Sequence, residues 1–380
     1  MAVAEVPTIA SEEGNEMTTR SRRTLAACGA LLSTLLAACS AGPVATTGVA
    51  TSLPSGSDPS PSAITTSVPS PASTRAPAEG QIVFVSVEAG RGQIYLEHAD
   101  GTGVTALVTS EFDDWSPALS PDGRKVAFAR NSADGSTALG AYVVNIDGTG
   151  LRQIDSNGED PSWSPDGAHL VETRALFDSG AAAPFNVALW IVDAASGAAH
   201  QITRVGVRCP NACANGGQDD QARWSPDGKR LVYLQETYTS PEQFAIFTMA
   251  VDGTDIQRVT PDGMNVADPQ WSPDGKRIVF QSPPDPSEHF AQDIYSILAD
   301  GTGLTQLTKN LPALPSGLEG AFHPSWSPDG GEIVFCRFPG ANADGASLFV
   351  MNADGTDLHL LAPTNLDQNA PVWGVLPVGG

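Results

Sequence analysis

The chain has 380 residues, 20 basic and 43 acidic side chains, and a formal net charge of −23. So acidic a surface repels the phosphates of nucleic acid and of anionic lipid. It excludes a nucleic-acid-binding protein and suits a basic partner or a hard cation, although it also serves the plain solubility of a secreted protein.

Residues 1–39 read as a targeting segment. Arg20, Arg22 and Arg23 form a basic region ahead of Thr24–Ala38, an apolar and small-residue run too short to be a comfortable membrane span. Leu36-Ala37-Ala38-Cys39 resembles a bacterial lipobox, in which the Cys39 thiol is diacylated and becomes the new N-terminus. An ordinary secretory signal with a chance cysteine is the alternative. Residues 1–16 carry four Glu and no base, so Met17 makes the better start. Ser21–Leu25 also resembles a twin-arginine export signal, with Sec export the commoner route for such a segment. Residues 40–79 form a disordered linker: 32 of these 40 are Pro, Ala, Gly, Ser or Thr, which leaves too little apolar surface for a core. As a flexible coil its ends stand roughly 35 Å apart. The chain is therefore expected on the outer face of the cytoplasmic membrane or in the cell envelope, held there by lipid alone.

Residues 80–380 are a repeat. Ser-Pro-Asp-Gly recurs at Ser120–Gly123, Ser164–Gly167, Ser225–Gly228, Ser272–Gly275 and Ser327–Gly330, preceded by Trp163, Trp224, Trp271 and Trp326 in four copies and by Leu119 in the first. A second phrase alternates with it: HADGTG at 98–103, NIDGTG at 145–150, the degenerate DAASGA at 193–198, VDGTD at 251–255, LADGTG at 298–303 and NADGTD at 352–357. Pro presets φ in a turn and Gly accepts positive φ, so each Ser-Pro-Asp-Gly is a tight turn, and Asp-Gly between apolar runs is a hairpin signal. One unit thus reads strand A, turn, strand B, loop, strand C, turn, strand D. Four antiparallel strands at this period are the signature of a propeller blade. The first unit has strands at Gln81–Val87, Gln93–Glu97 and Val104–Val108 but no strand A, while Pro371-Val372-Trp373 at the far end is a strand A with no B. The prediction is an all-β, six-bladed propeller in which the C-terminal strand joins blade one.

The WSPDGK and NxDGT phrases resemble the repeats of TolB-type propellers over residues 81–378. That resemblance implies a six-bladed extracytoplasmic domain. It departs from TolB in having the Ser/Pro/Thr tract where TolB has an α/β domain, and no hydrolase domain of the kind found with prolyl-oligopeptidase-type propellers is expected within these 380 residues.

Strand parity puts all the tight turns on one face and all the long loops (172–187, 203–222, 281–293, 308–323 and 336–347) on the other. Binding residues favour such loops. The acids of that face, Asp114, Asp160, Asp219, Asp220, Asp268, Asp285 and Glu288, together with His323, are the candidate binding residues. The pairs Arg124-Lys125, Lys229-Arg230 and Lys276-Arg277 mark the opposite face. Three residues before each Trp position stand Ser116, Asp160, Gln221, Asp268, His323 and Ala370, which should rim the central channel. That ring is mixed rather than a carboxylate cage, so calcium is a minor reading and no other cofactor is expected. Cys209 and Cys213 form C-x3-C, which favours a small disulfide after export; a zinc site would need two further ligands. Cys336 reads as a buried thiol. No nucleophile elbow, metalloprotease helix or phosphate loop is present. The leading reading is a non-catalytic scaffold for an envelope protein or cell-wall polymer of basic character. The alternative is a lactonase-like hydrolase with a metal on Asp160, Asp268 and His323.

Overall fold

The computed structural model describes residues 79–176, 186–203, 217–237, 243–284, 292–309, 311, 320–337, 345–362 and 364–377, all within the unit Pro77–Gly380. The signal segment with Cys39, nearly all of the linker, Cys209, Cys213, Asp285 and Glu288 lie outside the described residues.

The described strands form six antiparallel four-stranded sheets, the blades of a propeller. The inner strands are β24 (Gln368–Gly374) in blade 1, β4 (Asp113–Leu119), β8 (Gly158–Trp163), β12 (Gly217–Trp224), β16 (Ala267–Trp271) and β20 (Ala321–Trp326). Blade 1 is completed by β1 (Gln81–Glu88), β2 (Arg91–His98) and β3 (Thr105–Val108), within a residue or two of the strands expected from sequence except that β2 begins earlier.

The repeated phrases owe their letters to hydrogen bonds. In the first Ser-Pro-Asp-Gly turn, Gly123 N donates to Ser120 O at 2.8 Å. The Ser120 hydroxyl donates to Asp122 Oδ1 at 2.6 Å and accepts from Lys125 N at 2.9 Å. Asp122 Oδ1 also accepts from Arg124 N, so Ser and Asp cap the turn from both sides. The same set recurs at Ser225–Asp227 and Ser327–Asp329. In the second phrase Asp100 Oδ1 takes both the N–H and the hydroxyl of Thr102. These Asp residues are occupied by their own turns, which is why the phrase is a turn and not a cation loop. The Thr hydrogen bonds, outweighing slight burial, hold the Asp100 carboxyl below its usual range.

Packing within a blade follows a second rule. The fourth residue of the second strand faces an aromatic of the third: Phe84 on Tyr95, Phe128 on Tyr142, Tyr233 on Phe247, Phe280 on Tyr295 and Phe335 on Phe349, with ring centroids 5.7–6.2 Å apart. Each pair contributes about 0.5–1.5 kcal/mol beyond its buried area. β1 is buried at its first six positions, as expected of a strand covered on both faces. Cys336 is a buried thiol within the second strand of blade 6, its Sγ donating to Phe322 O at 3.5 Å.

The ring closes as the unpaired ends require. β24 pairs antiparallel with β1, with Ile82 opposite Trp373 and Gln81 opposite Gly374. Blade 1 has no Ser-Pro-Asp-Gly turn, and the tail at 375–377 takes its place. A Cβ on Gly123 would fall 2.4 Å from Val375 O, and Gln81 Nε2 bridges Gly123 O and Val375 O. Removing residues 363–380 strips blade 1 of its inner strand and of buried Trp373. Loss of such a side chain costs about 3–5 kcal/mol, and 1 kcal/mol moves the midpoint of a domain of this size by about 2–4 °C. Thermal unfolding followed by circular dichroism is expected to drop by about 10 °C or more, with aggregation through the bared edge; an unchanged midpoint would rule out this closure.

Candidate functional site

Each inner strand carries one bulge, and the bulges define the channel. Ser116, Asp160, Gln221, Asp268, His323 and Ala370 have φ between 46° and 53°, and the inner-strand register slips at each of them. They are the six residues that sequence position assigned to the rim. Left-handed backbone is unfavourable for residues with a Cβ, least so for Asp, Asn and His. Three of the six positions use Asp or His.

The bulges bring side chains of four neighbouring blades into one network. Arg223, on β12, forks onto Asp160 of β8, with Nη1 to Oδ2 at 2.7 Å and Nη2 to Oδ1 at 2.9 Å. Gln221 Oε1 accepts from Asp268 N at 2.7 Å. Asp268 Oδ2 lies 3.0 Å from His323 Nδ1 on β20, and His323 N donates to Gln281 Oε1. Behind them Asp220 Oδ1 accepts from the Thr173 hydroxyl at 2.7 Å and from Gln221 N at 2.7 Å. Burial, aided by the charges of Asp220 and Asp160, pushes Glu159 up to about 7. Burial and the Asp160 charge push Asp220 up to about 6, against the hydrogen bond from Thr173. Burial works to lower Arg223, but the Asp160 carboxylate together with the charges of Asp268 and Asp220 outweighs it and the guanidinium is raised. Four carboxyl groups thus share one arginine and one histidine.

The structure sorts the sequence candidates. Asp160, Asp220, Asp268 and His323 come together. Asp114 does not belong with them: it is wholly buried and clamped by Arg130, Nε to Oδ1 at 2.7 Å and Nη2 to Oδ2 at 2.8 Å, so it faces the core and is corrected from a binding residue to a structural one. Asp219 and Asp220 are likewise on a strand, not in the loop 203–222. They pair with Gln235 and Leu234, and Asp219 accepts from Gln235 Nε2 at 2.9 Å. Among the described residues no three His, Cys, Asp or Glu groups converge on a metal position, and Arg223 occupies the Asp160 carboxylate. Arg223 escaped sequence reasoning. Its signal was present: the residue before the Trp is Ala118, Ser162, Gln270, Ser325 or Val372 in the other blades, and charged only here. A groove of about 600 Å³ between blades 4 and 5, lined by Trp271, Pro226, Pro273 and Arg230 among others, lies at the tight-turn face, away from this network.

A six-bladed propeller with four-stranded blades is an architecture that several families share. Within that class, the TolB beta propeller domain matches residues 161–377, and the chain belongs to this family. The Tol-Pal system protein TolB of Alcanivorax borkumensis is 39% identical over 85 residues, 21% of this chain and 19% of that protein. The Protein TolB homolog of Chlorobium luteolum is 28% identical over 167 residues, 43% of this chain and 34% of its own length. The chain therefore spans about a third or less of these relatives. Among solved structures, TolB from Acinetobacter baumannii superposes with a TM-score of 0.60 at 21% identity, covering 79% of this chain and 68% of that one. Hydrazine synthase of Kuenenia stuttgartiensis gives 0.59 at 14% identity, covering 78% and 47%. At such identities the likeness is one of fold.

Replacing Arg223 with Ala leaves Asp160 buried without its counter-ion, a change that costs about 3–5 kcal/mol in comparable pairs. Urea unfolding at pH 7 is expected to report a loss of that order, partly recovered in the Asp160→Asn/Arg223→Ala double variant. Full additivity of the two single changes would break the assigned pair.

Proposed function

We propose that this protein is an exported, lipid-anchored scaffold that binds an envelope protein or cell-wall polymer of basic character, with Cys39 as the anchor and the long-loop end of the channel as the contact. The observation that carries the reading is the network on the inner strands of blades 3–6, where Glu159, Asp160, Asp220 and Asp268 outnumber Arg223. A mouth with that balance favours a cationic group, and the chain's acidity adds a long-range field that steers one inward. Membership of the TolB propeller family supports a binding role in the envelope, since the fold alone hosts unrelated activities. Among the described residues no helix is long and apolar enough to cross a membrane. A metal-dependent hydrolase on Asp160, Asp268 and His323 is the weaker reading, because Asp160 would first have to leave Arg223; metal analysis of purified protein tests it, and a calcium site with it.

Two measurements test the scaffold. The Cys39→Ala protein is expected to leave the membrane fraction or to persist as uncleaved precursor, and normal processing with unchanged partition would remove the anchor. For the contact, a partner captured from envelope extract is used in association-rate measurements. Reversing three acids that strand parity assigns to the long-loop face, Glu111 in the connection ahead of β4 together with Asp285 and Glu288, to Lys is expected to slow association by roughly 10-fold or more at low salt, with the difference fading as salt rises. Reversing Arg124, Lys125 and Lys276 to Glu on the tight-turn face is the control. Equal loss from both sets would reduce the effect to net charge, and loss from the control set alone would move the site to the other face.

A further inference from the structure

Blade 3 breaks the aromatic rule of the other five. Glu172, on β9 (His169–Leu176), stands opposite Trp190 where an aromatic ring is otherwise found. Its side chain is entirely withdrawn from water. Arg174 donates Nε to Glu172 Oε1 at 2.7 Å and Nη2 to Asp155 Oδ2 at 2.6 Å, and its guanidinium lies 4.5 Å from the Trp190 ring centre. The Glu172 and Asp155 carboxyls thus flank the same guanidinium. One guanidinium therefore faces two carboxyl groups, and the buried Glu172 Oε2 meets no donor. Gly158 makes the room, since a Cβ there would fall 2.2 Å from Oε2.

Asp155 lies in the crossover from blade 2 to blade 3 and holds it in place. Ala141 N donates to Asp155 O at 3.0 Å, Ile154 N to Ala141 O at 2.8 Å, and Asn157 N to Asp155 Oδ1 at 2.6 Å. Two ionised carboxylates held on one guanidinium in a poorly solvated site repel, and a single arginine satisfies them incompletely. One proton on the pair turns Glu172 into a donor and removes both problems. We propose that the Glu172–Asp155 pair is a proton-dependent latch on the crossover between blades 2 and 3, closed while the pair holds one proton and loosened when that proton leaves.

Neighbouring charges do not complicate the assignment. Glu159, next to Gly158 on β8, interacts with Asp160 and Asp220 instead. Trp190 is uncharged, and Arg174 is the cation that faces the pair. Burial, ahead of the opposing contribution of Arg174 and the reinforcing charge of Asp155, pushes Glu172 up to about 7. The folded chain then holds the proton more tightly than the unfolded chain. The stabilisation is complete below the ordinary carboxylate range and is lost as pH rises through about 7. Thr173, between Glu172 and Arg174 in sequence, bonds Asp220, so loosening of this strand reaches the channel network.

The test is hydrogen exchange by mass spectrometry on the full-length protein between pH 5.5 and 8.5, corrected for the intrinsic rate. Protection of the Ala141 and Ile154–Asn157 amides is expected to fall with rising pH, by at most about tenfold per pH unit for one proton, while strand 277–282 of blade 5 keeps its protection. Glu172→Gln supplies a permanent N–H donor without charge and is expected to stay protected at pH 8.5 with no pH slope; Asp155→Asn serves as a second variant. Wild-type protection that is flat with pH overturns the latch, whatever the variants do. So does an unchanged pH slope in Glu172→Gln, and so do variants that are unprotected at every pH, which would reduce the cluster to a static clamp.

Discussion

The pairing of Gln368–Gly374 with Gln81–Glu88 is the contact on which the rest of the propeller depends. A strand from one end of the repeat array becomes the inner strand of the first blade, so no sheet edge is left beside the channel. Every contact between inner strands presupposes a closed ring. The fork from Arg223 to Asp160 spans 63 residues, and Trp373 N donates to Ser325 Oγ across 48. An open arc would let adjacent blades splay and would separate such partners, each of which is buried on the assumption that the other is there.

Within that ring, local and long-range chemistry divide the work. The turns are self-contained: Ser, Asp and Gly satisfy one another within five or six residues and need nothing from the next blade. Their role between blades is steric. The Pro of one turn packs beside the Gly of the next, as Pro165 does beside Gly228 and Pro273 beside Gly330. The inner-strand bulges work the other way. Holding residues such as Asp160 and His323 at positive φ is locally unfavourable, and the arrangement persists because the bulge turns their side chains toward partners on neighbouring blades. Strain that recurs six times at the same place, followed by Pro in five of them (Pro117, Pro161, Pro269, Pro324 and Pro371), is a designed feature of the inner strand.

Blade 3 and its neighbours hold most of the buried ionisable chemistry. Glu159, Glu172 and Asp220 are all pushed up by burial, as Glu97 is in blade 1, while the other five blades fill the Glu172 position with an aromatic ring. A buried ion pair is a poor device for stability alone, since apolar side chains of similar volume do as well. Its concentration along one arc of the ring is the reason to place binding and proton sensitivity there.

The propeller itself was legible in the chain because its determinants are local and repeated. A turn specified by Ser-Pro-Asp-Gly, an Asp-Gly-Thr hairpin and a missing strand at each end suffice to count blades and to predict closure. Even the rim positions followed from spacing, since a periodic strand places equivalent residues at equivalent depths. What those side chains do was not legible. Asp114 and Asp160 are both acids entering an inner strand, yet one is buried on Arg130 of its own blade and the other is held by Arg223 of the next. Asp219 and Asp220 looked like loop acids because a run of polar residues hides a strand whose partners are supplied by Gln235 and Thr173. Sequence by itself determined the blade, the count and the ring. Tertiary structure alone decided which carboxylates meet which cations, because the choice depends on strand pairing: Asp114 meets Arg130 across two strands of one sheet, and Asp160 meets Arg223 63 residues away on the inner strand of the next blade.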